Sequence, residues 1–330
     1  MLDVLLAFVF TFHLLLVDVA LAGPFFAVWL DWRGRNGEDP AASQIGRRLA
    51  KCCVAAVALG VTGGLASWGL LLLLPSQAHY LAVFQRIPAS RWWGIASEIV
   101  FYLVVMAVCG FAWDRWRRFR WVHSLLAIVA ATTLASHFPP LFSRVSTLST
   151  ELAQPAALNP ELFRTRYLFS DPETLARTIH HLLAAVSVVG ILTAFLASGR
   201  ARALRSTAAA DNAAPNSFGL RVGILAARIA LVATVAQLGV GVWVFVQLAD
   251  SAQNQLLGGD GVAVALFILG LIMVLGLIQH LLTLALGELT RRKVVVTGLL
   301  LVLTTLFMTA MLHRVRTAVY RTFPAVEQAS

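Results

Sequence analysis

Eight runs of mostly apolar residues divide this chain, at 3–31, 50–74, 92–113, 121–142, 174–199, 219–248, 261–288 and 294–318. No other feature limits its folding as much. Each run supplies the roughly 20 residues that a helix rising 1.5 Å per residue needs to cross a hydrocarbon core. Strands do not serve, because lipid offers no hydrogen-bond partner and a helix satisfies its own backbone. The expected fold class is all-α, a polytopic membrane bundle of about eight transmembrane helices. Composition agrees, with 59% hydrophobic and 13% charged residues in 330, where a soluble domain carries about 25% charged. The formal net charge of +10 does not read as nucleic-acid binding, since no basic face with interleaved aromatics occurs.

Basic residues cluster in alternate connections, as cytoplasmic loops of membrane proteins do. The connections after odd-numbered runs hold sixteen Lys and Arg, among them Arg33, Arg35, Arg47, Arg48, Lys51 and Arg120, against nine on the other side. That bias puts both termini outside. Ala20-Leu21-Ala22 before Gly23 has the look of a cleavage site, yet Asp3 and Asp18 precede it and no Lys or Arg does. The first run is therefore read as a retained helix. Gly60 and Gly64 form a G-x-x-x-G pair that predicts a close helix contact. Cys52, Cys53 and Cys109 lack a C-x-x-C-H arrangement and read as reduced packing residues, not as a covalent haem site. The chain is expected to form one transmembrane haem-binding domain over 1–330. It would comprise a five-helix part (1–199), a cytoplasmic linker (200–218) and a three-helix part (219–330). The stretch 143–173, with Pro155, Pro160 and Pro172, is expected to be a long outer loop.

Ionisable residues inside spans are costly and mark candidate sites. With the N-terminus outside, His13, Glu98, His137, His180, His181 and His313 all fall in the outer half, on five different helices. Neutral imidazole is an axial ligand of haem iron, and a helical bundle can hold a porphyrin between its members. His13, His180 and His313 are the expected iron ligands. His181 stands about 100° around the helix from His180 and competes with it for the same iron. Met273, His280 and His123 are further candidates, the last two as a pair for an inner haem. Arg144, Arg177, Arg314 and Arg316 lie on the outer side and suit haem propionates. Asp18 and Glu98 are the carboxylates placed to handle protons. His137, just before Pro139-Pro140, is expected at a helix end, and His79 in a solvated loop. Each histidine has a plainer reading as a hydrogen-bonded packing residue, and each arginine as an interfacial anchor.

The opening Met1-Leu2-Asp3-Val4-Leu5-Leu6 with Phe12-His13-Leu14-Leu15, then Ser97-Glu98 through Gly110-Phe111-Ala112-Trp113-Asp114-Arg115, then Thr178-Ile179-His180, resemble in this order subunit I of cytochrome bd-type quinol oxidases. The resemblance is best over residues 1–200. It implies more than one haem b, with haem d as a variant, held near the outer face of a bacterial cytoplasmic (inner) membrane. His13 would bind a high-spin haem and His180 the low-spin haem b. It also implies other membrane subunits and an electron partner, either quinone or a redox protein of the cytochrome c or iron–sulfur type. The departures are specific. Residues 249–260 form a short Ala/Asp/Ser/Gln turn where the family has a long charged quinol loop. Met273 is the one candidate for the family's helix-seven ligand. His313 and Arg316 stand where the family has a glutamate ligand and an arginine. Helix three carries one carboxylate, Glu98, instead of two. With so few buried acids, the expected function is a haem-b-binding electron-transfer subunit. The alternatives are a terminal oxidase reducing O2 to water and a haem-free transporter or scaffold.

Overall fold

Every apolar run folds as helix. The computed structural model describes residues 2–35, 40–113, 119–151, 159–211 and 218–322. In chain order its α-helices are α1 (Leu2–Arg35), α2 (Pro40–Leu72), α3 (Ala78–Gln85), α4 (Ala89–Phe111), α5 (Arg120–Glu151), α6 (Thr165–Ser170), α7 (Pro172–Asp211), α8 (Phe218–Gln247), α9 (Asp250–Asn254), α10 (Gly261–Ala285) and α11 (Arg291–Thr322). Among the described residues, eight of these are long and apolar enough to span a membrane: α1, α2, α4, α5, α7, α8, α10 and α11.

Two expectations about connections change. The stretch 143–173 is not one long loop, because α5 runs through Pro139 and Pro140 to Glu151. A proline withholds one N–H from the helix ladder, and membrane helices tolerate this where neighbouring groups compensate. Beyond the prolines, Ser149 Oγ donates to the Ser146 carbonyl at 2.7 Å and Thr150 Oγ1 to the Thr147 carbonyl at 2.9 Å. The hydroxyls thus satisfy themselves on their own helix and can be buried. Residues 152–158 lie outside the described residues. The expected linker 200–218 begins as a continuation of α7 to Asp211, and 212–217 lie outside the described residues.

Helices in lipid gain little from burying apolar surface against one another, so close approach of backbones carries the packing. Glycines supply it on the α1–α2 seam. A Cβ on Gly46 would stand 3.0 Å from the Ala27 carbonyl oxygen, and Gly23 abuts Cys53. The expected Gly60–Gly64 contact is present, with Gly60 against Leu16 and Gly64 against the His13 ring. All three cysteines are free. At the end of the bundle away from His13, buried Asp31 of α1 accepts from Ser43 Oγ of α2 at 3.0 Å and lies 3.5 Å from Arg120 of α5. This polar knot ties three helices. Helices α1, α2, α4, α5 and α7 share one core, including Leu21, Leu49, Tyr102, Met106, Ala130 and Val189. Helix α7 also packs on α8, and α8, α10 and α11 complete the bundle through contacts such as Ala194, Ala227 and Leu284.

The α7–α8 contact is tightest at Gly190, where an added Cβ would lie 2.8 Å from the Ala226 carbonyl oxygen and 2.8 Å from Ala230 Cβ. Gly190→Ala should lower the thermal midpoint in detergent, at a cost of about 1–3 kcal/mol for overpacking. Gly94→Ala, whose added Cβ meets nothing within 4 Å, should show no such loss. Equal midpoints for the two variants would contradict this packing.

Candidate functional site

Helix α1 presents His13 to α2. Its Nδ1 lies 2.8 Å from the Gly60 carbonyl oxygen. A carbonyl only accepts, so Nδ1 carries the proton and Nε2 keeps its lone pair. Gly63 and Gly64 form the bed for the ring, since a Cβ on Gly64 would lie 3.0 Å from His13 Cε1. One turn earlier, the Phe10 ring stands 5.8 Å from the His13 ring and 5.6 Å from the His313 ring of α11. His313 is buried, and neither ring nitrogen makes a hydrogen bond.

The adjacent histidines of α7 face different neighbours. His181 Nε2 lies 3.4 Å from Asp18 Oδ1 on α1, and the Asp18 side chain is only 4% exposed. His180 turns to α8. A Cβ on Gly241 would be 3.7 Å from its Cε1, Gln237 Nε2 donates to its carbonyl oxygen at 3.3 Å, and its buried Nδ1 has no hydrogen-bond partner. The structure therefore gathers His13, Asp18, His181 and His313 around α1, with His180 beside them on the α8 side.

The four arginines separate. Arg144 Nη1 is 3.2 Å from Asp171, and Arg177 Nη2 is 2.6 Å from Glu173. Arg314 Nη2 is 2.7 Å from Asp260, the N-cap of α10. Arg316 is buried and is the one of the four without a carboxylate partner among the described residues. Its Nη2 donates to Ser146 Oγ at 2.7 Å and its guanidinium carbon lies 4.1 Å from the Tyr80 ring centroid, while Nε and Nη1 have no partner.

Ser146, Tyr80 and Gln77 were not singled out in the sequence. Gln77 Nε2 donates to Thr317 Oγ1 at 2.9 Å, one turn beyond His313. The available signal was the hydroxyl density of Ser143-Arg144-Val145-Ser146-Thr147-Leu148-Ser149-Thr150, which the double proline made look like loop. Two plainer expectations are corrected. His79 is buried on α3, which packs on α5, and it stacks on Tyr320 with centroids 5.1 Å apart. His137 is not at a helix end; since α5 continues, it faces α4 and its Nδ1 lies 2.6 Å from Glu98 Oε1.

The remaining candidates lie apart. His123 packs edge-on against Trp113 at 5.2 Å, beside a cavity of about 10 Å³ lined in part by Asp31. His280 is on α10, which packs on α8 and α11, so His123 and His280 belong to different helix groups. Met273 is part-buried on α10. A groove of about 230 Å³ lined by Phe25, Phe26, Trp29 and Ile229 includes none of the histidines. Among the described residues no three His, Cys, Asp or Glu side chains converge on one metal ion; axial ligation of haem asks for one or two.

No protein-family model and no curated protein matches the chain. Among solved structures it is similar to the bd oxidase from Geobacillus thermodenitrificans, with a TM-score of 0.63 and 16% sequence identity over 96% of this chain and 86% of that one. The likeness shows a bd-type arrangement of membrane helices.

Asp260 gives a test of the α10–α11 ion pair. The Arg314 hydrogen bonds hold its carboxyl below the usual carboxylate range, against partial desolvation and with help from the Ala263 N–H. A depressed pKa contributes stability above the unfolded value and loses it as pH falls through the folded one. Asp260→Ala should cost about 1 kcal/mol as a lost cap. The difference in melting between wild type and Asp260→Asn should be constant above about pH 4 and close below it. A pH-independent difference would refute the ion pair.

Proposed function

We propose that the chain is a haem-b-binding electron-transfer subunit of a bd-type membrane complex. One observation carries the reading. His13 is anchored through Nδ1 to the Gly60 carbonyl in a glycine bed, which fixes the ring and leaves Nε2 as the basic nitrogen, the arrangement that metal-binding histidines use. His313, with both nitrogens buried and uncommitted, and His180, with a free Nδ1, supply the other iron-binding positions. Haem bound there would supply one-electron chemistry that no side chain provides. Further ligand candidates are His181, whose Nε2 faces Asp18, and Met273, His280 and His123, which lie apart from this group.

The protein's own groups would do the rest. Arg316 would offer two nitrogens without partners, Nε and Nη1, to a haem propionate, and Arg144 its Nε. Arg177 and Arg314, already engaged by Glu173 and Asp260, would act through the local field. Glu98 and His137 form a pair that can hold and pass a proton. Electrons would come from quinone or from a cytochrome c or iron–sulfur partner. Other membrane subunits would cover the bundle in a bacterial cytoplasmic membrane, with both termini outside, more than one haem b, and haem d as a variant. The bd-like fold favours a second reading, a terminal oxidase reducing O2 to water, which cyanide-sensitive oxygen uptake by the purified complex would support.

The test is a reduced-minus-oxidised optical spectrum with pyridine haemochrome analysis. His13→Ala and His180→Ala should each remove a different spectral component. Spectra unchanged in both would reject the ligands, and an intact colourless protein would favour a transporter or scaffold.

A further inference from the structure

Neighbouring residues on a helix point about 100° apart, so whatever holds His181 also sets the direction of His180. His181 Nε2 lies 3.4 Å from Asp18 Oδ1, a close approach that does not have hydrogen-bond geometry. Asp18 sits five residues inward of His13 on α1 and is buried. A carboxylate is costly in an apolar interior, and this one faces a histidine across the α1–α7 contact. On the other side of α7, α8 forms a seat. Gln237 holds the His180 carbonyl at 3.3 Å. Gly241, one turn further along α8, leaves room for the ring. The seat is itself braced, with Ser187 Oγ 3.4 Å from Gln237 Oε1 and Thr234 Oγ1 donating to Ser187 Oγ at 3.0 Å.

We propose that Asp18 is a positioning residue: facing His181, it fixes the rotation of α7 about its axis and so turns His180 onto the seat made by Gln237 and Gly241. The inference rests on the reading of His180 as a haem ligand. It divides the labour of the histidine doublet, with His181 holding the helix and His180 serving the iron. It also gives Asp18 a task in geometry instead of proton transfer.

Two substitutions in the purified complex test it. Asp18→Asn keeps an oxygen facing His181 and removes the charge. Asp18→Leu removes both. In reduced-minus-oxidised and electron paramagnetic resonance spectra, Asp18→Leu should weaken retention of the His180-dependent component about 10- to 100-fold, the usual effect of losing a group that orients a ligand. The His13-dependent component should persist, and Asp18→Asn should stay close to wild type. A full His180 component in Asp18→Leu overturns the proposal. Equal losses in Asp18→Asn and Asp18→Leu also overturn it, because charge would then matter and geometry would not. If Asp18→Leu fails to fold, Gly241→Leu reaches the seat from α8 alone: a shifted His180 signature supports the proposal and an unshifted one overturns it. A wild type without haem defeats the functional reading, whereas haem that ignores Asp18→Leu defeats this inference alone.

Discussion

Close contact between α1 and α2 is the constraint on which the rest depends. In lipid these helices cannot be driven together by water, so the seam must be made of groups small enough to let the backbones meet. Gly23 against Cys53, Gly46 against the Ala27 carbonyl and Gly64 against the His13 ring provide that. The same approach brings the Gly60 carbonyl within 2.8 Å of His13 Nδ1. Packing and the orientation of the His13 ring are thus one feature of the sequence. A larger residue at Gly64 would both part the helices and push the imidazole from its bed.

Charge is the second constraint. Arg144, Arg177 and Arg314 each face a carboxylate, so their burial is largely compensated. Arg316 is not matched in this way. A cation–π contact such as that with Tyr80 is worth about 2 kcal/mol when desolvated, whereas the effective penalty of removing an ion from water is several kcal/mol. Tyr80 and one hydrogen bond to Ser146 therefore fall short, and two guanidinium nitrogens, Nε and Nη1, remain unpaired. An anionic group supplied by a cofactor would close that gap, which is why Arg316 supports a propionate more strongly than the other three.

The helices were legible in the sequence because lipid imposes length and apolarity on each span separately. His13, His180 and His313 were legible as candidates for the same reason, since an imidazole in an apolar run has few neighbours to hide it. What was not legible depends on tertiary neighbours. Pro139-Pro140 placed His137 at a helix end, because a proline pair by itself does not show that the helix continues beyond it to Glu151. That error hid the Glu98–His137 pair and the Ser146 contact to Arg316. The two histidines of the doublet are equivalent in one dimension, and only the placement of Asp18 and Gly241 on different helices tells them apart. Arg314 looked like its neighbour Arg316 until α10 placed Asp260 against it.

In the proposed function, imidazoles from α1, α7 and α11 grip a tetrapyrrole at one end of this bundle. An electron cryo-microscopy map of the complex purified from its native membrane addresses it directly. The expected result is flat macrocycle density ligated by His13 Nε2, with a carboxylate arm reaching Arg316. His13 Nε2 buried against protein or lipid in a well-ordered map, with no macrocycle beside it, would contradict the account.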